Sequence, residues 1–438
     1  MPNPQLLSAI ARAFLAGEPS VEEVIVRASR ALGRNWRWLR PVARRYVQRY
    51  AGQMRPRHQD VVQFLLRDFD FARACEKYPD QLQIAHQLPD QPQLMQPVAA
   101  AETWAVPVIE SVGGLADWLF LNPGGLDWFA DLKGLGYSQK DRPLLQHYHY
   151  RILAKPSGSM RLIEVPKPRL KELQRQILAE LLEKIPPHAA AHGFRKGRSI
   201  RTFAAPHVGK RVVLRMDLQD FFPSITGARI QTLFRAAGYP EAVADRLGGI
   251  CTNATPREIW NESVALWETR KLYARPHLPQ GAPTSPALAN LCAYRFDCRL
   301  DGLAKAAGAE YTRYADDLAF SGDEAFERRV EWFSARAAGI LREEDFTVHL
   351  RKTRIMRQSV RQHLAGLVTN QRINVRRTDF DLLKAILTNC IRHGPESQNR
   401  GGHASFRSHL EGRVGFVETI HPAKGQRLRT ILESIRWE

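Results

Sequence analysis

Apolar positions recur in three different patterns along the chain. From residue 1 to about 135 they fall at helical spacing. Leu6, Leu7, Ile10 and Phe14 form one stripe, and Val61, Phe64, Leu65 and Phe69 form another. The pattern predicts a mostly helical N-terminal region. Gln- and Pro-rich residues 87–98 read as a linker inside it. From His147 onward short β-type runs appear. Residues 150–155 and 160–165 flank Pro156-Ser157-Gly158-Ser159 and predict a hairpin. Pro168 then opens a helix striped by Leu170, Leu173, Ile177, Leu181 and Ile185, with Pro186-Pro187 as its stop. Residues 211–217 read as a strand that ends on a carboxylate, Asp217. Residues 309–313 and 318–322 read as two more strands, with Tyr314-Ala315-Asp316-Asp317 at the hairpin tip. Helical patterns return over 326–345 and over about 372–438. Helices and strands segregated in this way predict an α+β fold.

Composition narrows the partner. The chain has 438 residues, a formal net charge of +19 and a sequence pI near 10.0, with 44% hydrophobic residues. It is a folded protein whose basic residues are spread throughout, which points to a phosphate backbone in a long positive groove. An anionic membrane is the alternative, but no basic amphipathic helix with a bulky apolar face is visible. No apolar run has the length of a membrane span, and Met1-Pro2-Asn3-Pro4 does not begin a secretory signal. Cys75, Cys251, Cys292, Cys298 and Cys390 lie far apart, as expected of reduced core thiols in a cytoplasm. The stretch from Arg34 to Arg40 admits two readings: RNA contact by stacking and charge, or a helix with buried tryptophans and a wet basic face.

The candidate chemistry begins with the adjacent carboxylates Asp316 and Asp317. Held side by side at a buried turn they repel, and a hard divalent metal is the usual answer; a solvated turn is the plain alternative. Asp217 at the end of an apolar strand is a third carboxylate, unless it caps the following helix. Three carboxylates on strand ends and a hairpin tip suit a two-metal nucleotidyl-transfer site, whose ions lie roughly 3.5–4 Å apart. Oxygen ligands and substrate phosphates favour magnesium. Between these acids, Gln280-Gly281 precedes a helix start at Pro286, and the glycine lets backbone approach a nucleotide.

The order of these motifs carries more than any one of them. A basic hairpin, Asp217 with Phe222, Gln280-Gly281, Tyr314-Ala315-Asp316-Asp317, Lys352 and Leu364-Ala365-Gly366-Leu367 follow in succession. Over about residues 145–435 this resembles the fingers–palm–thumb series of reverse transcriptases, and most of all the bacterial retron type. His192-Gly193-Phe194-Arg195-Lys196-Gly197-Arg198-Ser199-Ile200, residues 213–225, residues 412–417 and His421-Pro422-Ala423-Lys424-Gly425 carry that likeness. The resemblance implies a right-hand polymerase with a helical N-terminal extension (1–135), fingers and palm (136–362) and thumb (363–438). It implies catalytic, metal-binding Asp217, Asp316 and Asp317, aided by the Leu218 carbonyl, and two Mg2+ ions with Mn2+ as a substitute. Arg161, with Lys155, matches the triphosphate grip, and Phe222 matches the gate against a 2′-hydroxyl. Gln280 and Gly281 match the motif that packs on the nucleotide, and Lys352 a lysine that protonates pyrophosphate. Leu364, Gly366 and Leu367 match the primer grip; Arg195, Arg198 and Tyr314 fall to primer and template.

The partners implied are a non-coding RNA serving as template and primer, its cDNA, dNTPs and an accessory effector in anti-phage defence, with no membrane. The oligomeric state is left open. Two elements depart from the retron pattern. Phe203-Ala204-Ala205-Pro206-His207 lacks the usual leading Asn, and Val368-Thr369-Asn370 ends in Asn where Gly is usual. Asn tolerates a left-handed backbone, so the second turn is expected to survive. The departures keep two alternatives in view: a related defence polymerase without a stable RNA–DNA product, and a catalytically idle RNA-binding scaffold. Three intact carboxylates argue against the scaffold.

Overall fold

In the computed structural model, which describes residues 3–50, 53–86, 93–135, 146–154, 160–260 and 267–437, chain contacts define two units that alternate along the sequence. The first takes Met1–Pro186 and Phe222–Cys292; the second takes Pro187–Phe221 and Ala293–Glu438.

The first unit begins with five helices, Pro4–Leu15, Val21–Ala31, Leu39–Tyr50, His58–Arg67 and Phe69–Lys77. Their apolar stripes meet in a core that includes Ile10, Phe14, Val24, Leu39, Val42, Tyr46, Val61, Leu65 and Phe71. Phe69 does not join it. Asp68 ends one helix and caps the next, accepting from the Asp70 and Phe71 amides, so the helical stripe is broken there. Phe69 is left 67% exposed beneath the Arg45 guanidinium. Trp36 is buried, Trp38 is half-buried against the same core, and Arg37 and Arg40 face solvent. The tryptophans thus turn inward beneath a wet basic face, but residues 34–38 form a turn and not a helix, which begins only at Leu39.

Farther along this unit, β1 (Tyr148–Ala154) and β2 (Met160–Pro166) form the expected antiparallel hairpin. Lys155 and the turn at 156–159 lie outside the described residues. The helix opened by Pro168 ends at Glu180, before the two prolines, and the last two stripe residues, Leu181 and Ile185, flank a 3₁₀ turn, Leu182–Lys184. Helices Gly227–Ala236, Glu241–Cys251 and Ser285–Cys292 complete the part used below.

The second unit is built on β3 (Val212–Gln219), the central strand of an antiparallel sheet. β4 (Ala309–Tyr314) pairs with β5 (Asp317–Gly322), which pairs with β3. On its other edge β3 pairs with β6 (Thr347–Val348) and β7 (Arg354–Arg357). Helices Tyr294–Ala306 and Val330–Glu343 pack on this sheet through Phe296, Phe320, Phe333 and Phe346. The helical pattern over 326–345 is interrupted: Glu324–Glu327 is a separate turn of helix. A small sheet of β8 (His363–Leu364), β9 (Leu367–Val368) and β10 (Asn374–Val375) then leads into helices Arg377–His393, Phe406–Ile420 and Pro422–Glu433. These share a core of Leu364, Leu367, Leu383, Leu387, Leu410, Val414 and Leu428. All five cysteines are free thiols; Cys251, Cys292 and Cys390 are buried, whereas Cys298 is exposed and not a core residue.

Candidate active site

The β3–β5 register sets Asp217 directly opposite Asp317. The Leu218 amide donates to the Asp316 carbonyl at 2.9 Å, which ties the hairpin tip to β3. Ala315, at that tip, has φ +56°, a left-handed conformation that costs energy in any residue with a Cβ. Two close contacts hold it there. Arg313 Nη1 donates to the Ala315 carbonyl at 3.2 Å. Gly193 passes so near that a Cβ would lie 2.7 Å from the Ala315 nitrogen, so only glycine allows the loop to reach the tip.

Beneath the tip the polar groups are matched. Fully buried Arg313 forms a two-point ion pair with fully buried Asp297, at 2.7 and 2.8 Å, and the Tyr311 hydroxyl donates to the same carboxylate at 2.7 Å. His207 bridges the two strands, with Nδ1 2.6 Å from Ser321 Oγ and Nε2 2.7 Å from Thr312 Oγ1. The Thr312 hydroxyl donates to the Phe203 carbonyl, so Nε2 is the donor to Thr312 and Nδ1 accepts from Ser321. That pattern requires neutral imidazole, and burial pushes the His207 pKa down to about 3.

At the tip the charges are not matched. Asp217 is buried and ion-paired with Lys352 at 2.9 Å, and Asp317 with Arg215 at 2.6 Å. Among the described residues Asp316 has no ion pair. Its pKa is raised, first by burial and then by the charges of Asp217 and Asp317. That of Asp317 is raised by burial against the opposing pull of Arg215. The Asp217 carboxylate engages Lys352 and is not a helix cap.

Donor chemistry fits a hard divalent cation: three carboxylates on one turn and its paired strand, with a half-buried member, Asp316, whose charge is destabilised by the other two. As they stand, the Asp217 and Asp317 side chains point at protein cations. Among the described residues no three acidic or imidazole groups converge as a ready cage.

The other predicted residues divide between the two units. In the second, Tyr314 is half-buried, its ring 5.8 Å from Phe203 and 6.4 Å from Phe194. Arg195 spends one guanidinium nitrogen on the His188 and Ala191 carbonyls, whereas Arg198 is exposed. Leu364 and Leu367 are buried anchors of the β8–β9 hairpin, and exposed Gly366 (φ +85°) sits at its tip beside Ala365 (φ +44°). Asn370 is not left-handed, contrary to expectation. Its side-chain amide donates to the Val360 and Gln358 carbonyls and accepts from Gln362, so it crosslinks a loop and does not relieve a turn.

In the first unit, Arg161 is exposed on β2, Gln280 and Phe222 are half-buried, and Gly281 is exposed with φ +135°. A Cβ on Gly281 would meet the Glu164 carbonyl at 2.7 Å, and the Glu164 amide donates to the Gln280 carbonyl at 2.9 Å.

Sequence reasoning missed Arg215, Asp297, Arg313 and Glu164. A signal existed for two of them. Arg215 lies two residues before Asp217 and so shares its face of β3, and Glu164 alternates with Leu162 on the apolar face of β2.

The reverse transcriptase (RNA-dependent DNA polymerase) family model matches residues 153–372. The chain is 41% identical over 296 residues to the retron Mx65 reverse transcriptase of Myxococcus xanthus, covering 66% of this chain and 65% of that one. It is 36% identical over 329 residues to the retron Mx162 reverse transcriptase of the same organism, covering 73% and 65%. To the retron Ec86 reverse transcriptase of Escherichia coli it is 29% identical over 281 residues, covering 64% and 78%. It thus spans about 65% of the length of the two Myxococcus proteins. With its α+β architecture, the chain belongs to the reverse transcriptase family, and these curated relatives are of its bacterial retron type.

Proposed function

We propose that this protein is an RNA-directed DNA polymerase that copies a cognate structured non-coding RNA into cDNA and retains the product as an RNA–DNA hybrid. The observation that carries this reading is the unmatched acidic tip, Asp217 facing Asp317 with Asp316 beside them, on a hairpin tied to β3. Family membership and the retron relatives support the polymerase class. A role in anti-phage defence with an effector protein, and a cytoplasmic location, extend the proposal by analogy. No helix among the described residues is long and apolar enough to cross a membrane.

In this reading Asp217, Asp316 and Asp317, with the Leu218 carbonyl, would hold two Mg2+ ions, or Mn2+ in their place. Such ions, when bound, favour deprotonation of the attacking RNA or DNA hydroxyl and offset charge on the departing pyrophosphate. Arg215 and Lys352 balance the Asp317 and Asp217 carboxylates, and in this reading the Lys352 ammonium is the proton source for pyrophosphate. Arg161, with Lys155, grips phosphate oxygens through a planar, permanently charged fork. Phe222 selects the deoxy sugar, and Gln280 and Gly281 seat the nucleotide. Tyr314, Arg195, Arg198 and the Leu364–Leu367 hairpin serve primer and template. Residues 1–135 are an extension, 136–362 fingers and palm, and 363–438 thumb.

The test is to purify the protein with its bound RNA and add Mg2+ and dNTPs. A discrete cDNA templated by one RNA supports the reading. DNA without a stable hybrid supports the related defence polymerase, and no synthesis on any RNA-primed template leaves only the scaffold.

A further inference from the structure

Glu164 is a carboxylate with no exposure, in a strand of the first unit that carries exposed Arg161 three residues earlier. Such a group is costly to bury unless each oxygen is satisfied. Here Oε1 accepts from Asn253 Nδ2 at 2.7 Å and from Thr255 Oγ1 at 2.9 Å. Asn253 also donates to the Tyr150 hydroxyl at 3.1 Å, on the paired strand β1. Oε2 lies 2.9 Å from Nε2 of fully buried His277. The other ring nitrogen, Nδ1, lies 2.8 Å from the Arg275 carbonyl, which only accepts, so Nδ1 carries a proton. One further proton lies on the line between Nε2 and Oε2. His277 precedes Gln280 by three residues, and the Glu164 backbone meets that turn twice, through its amide to Gln280 and its carbonyl against Gly281.

We propose that Glu164 is a positioning residue for the nucleotide: by binding Asn253, Thr255 and His277 it locks the strand of Arg161 to the Gln280-Gly281 turn. This inference rests on the polymerase reading. The strand and the turn come from segments more than a hundred residues apart, and Glu164 joins them through both backbone and side chain. Loss of the carboxylate frees the turn to shift relative to the arginine, so dNTP binding weakens while primer–template binding does not.

The experiment is steady-state incorporation on a fixed RNA template and DNA primer, with melting temperature read on each preparation. Glu164→Ala is expected to raise the dNTP KM about tenfold, as for a buried donor left unsatisfied, with a smaller change in kcat and none in primer–template KM. Glu164→Gln keeps the shape and offers an amide N–H to neutral His277, so it should recover most of that loss. If Glu164→Ala does not fold, Thr255→Val and Asn253→Ala each remove one donor and should raise the dNTP KM roughly threefold. A dNTP KM within twofold of wild type in a folded, active Glu164→Ala, or in both donor variants, overturns the proposal. Inactive wild-type protein would instead sink the polymerase reading.

Discussion

Two acidic sites of opposite character meet the hairpin of β4 and β5. Beneath it, Asp297 meets Arg313 at two points and Tyr311 at a third, all fully buried or nearly so. At its tip, three carboxylates share Lys352 and Arg215, and burial with mutual repulsion raises Asp316. The first site satisfies every oxygen with a partner of the right sign. The second holds charge that the protein alone does not neutralise. A fold that can build the first within one strand of the second has the means to avoid the mismatch, and its persistence marks chemistry and not framing. Glu164 follows the rule of the matched site, which is why it is read as positioning and not as catalytic.

The comparison breaks most visibly if the two sites respond alike to loss of charge. Asp297→Asn leaves the Arg313 guanidinium buried without its counter-charge. It should cost about 3–5 kcal/mol and lower Tm by roughly 10 °C, read by thermal unfolding. Asp316→Asn removes a repelled charge, so its Tm should stay level or rise. Equal destabilisation by both would erase the distinction.

The His207 bridge offers a sharper, pH-resolved test. Its pKa is depressed in the fold, to about 3, from the ordinary 6.5, so the unfolded chain takes up the proton first. Stability is therefore fully present above about pH 6.5 and is lost as pH falls toward 3. By pH 5 the loss from this one group should be about 2 kcal/mol. His192, lowered to about 4 by burial and by Arg198 and Arg195, adds in the same direction. Denaturant midpoints between pH 7 and 5 read the slope, and His207→Gln should flatten it.

The smallest expected effect is at Asn370. Asn370→Gly restores the usual triplet but removes three hydrogen bonds around the 358–362 loop. It should cost about 1 kcal/mol in unfolding experiments. A gain in stability would return Asn370 to the role of a turn residue.

These tests also show which parts of the molecule could be read in advance. The hairpin, its two aspartates and the strand of Asp217 were legible because strand periodicity is local and the motif order is long. The break at Asp68, which exposes Phe69, was not, since a capping side chain overrides a continuous apolar stripe. The frame was the least legible part. Asp297 and Arg313 are sixteen residues apart in sequence, and Glu164 and His277 more than a hundred. A charged residue that will be buried beside its partner reads, in sequence, like any solvated one.

The most direct test of the central claim is Mg2+-dependent nucleotide incorporation by wild type and Asp316→Asn, with Tm measured on the same preparations. The variant should stay folded, melt no lower than wild type and lose incorporation by at least about a hundredfold. A folded Asp316→Asn protein that incorporates nucleotides at the wild-type rate would contradict that claim.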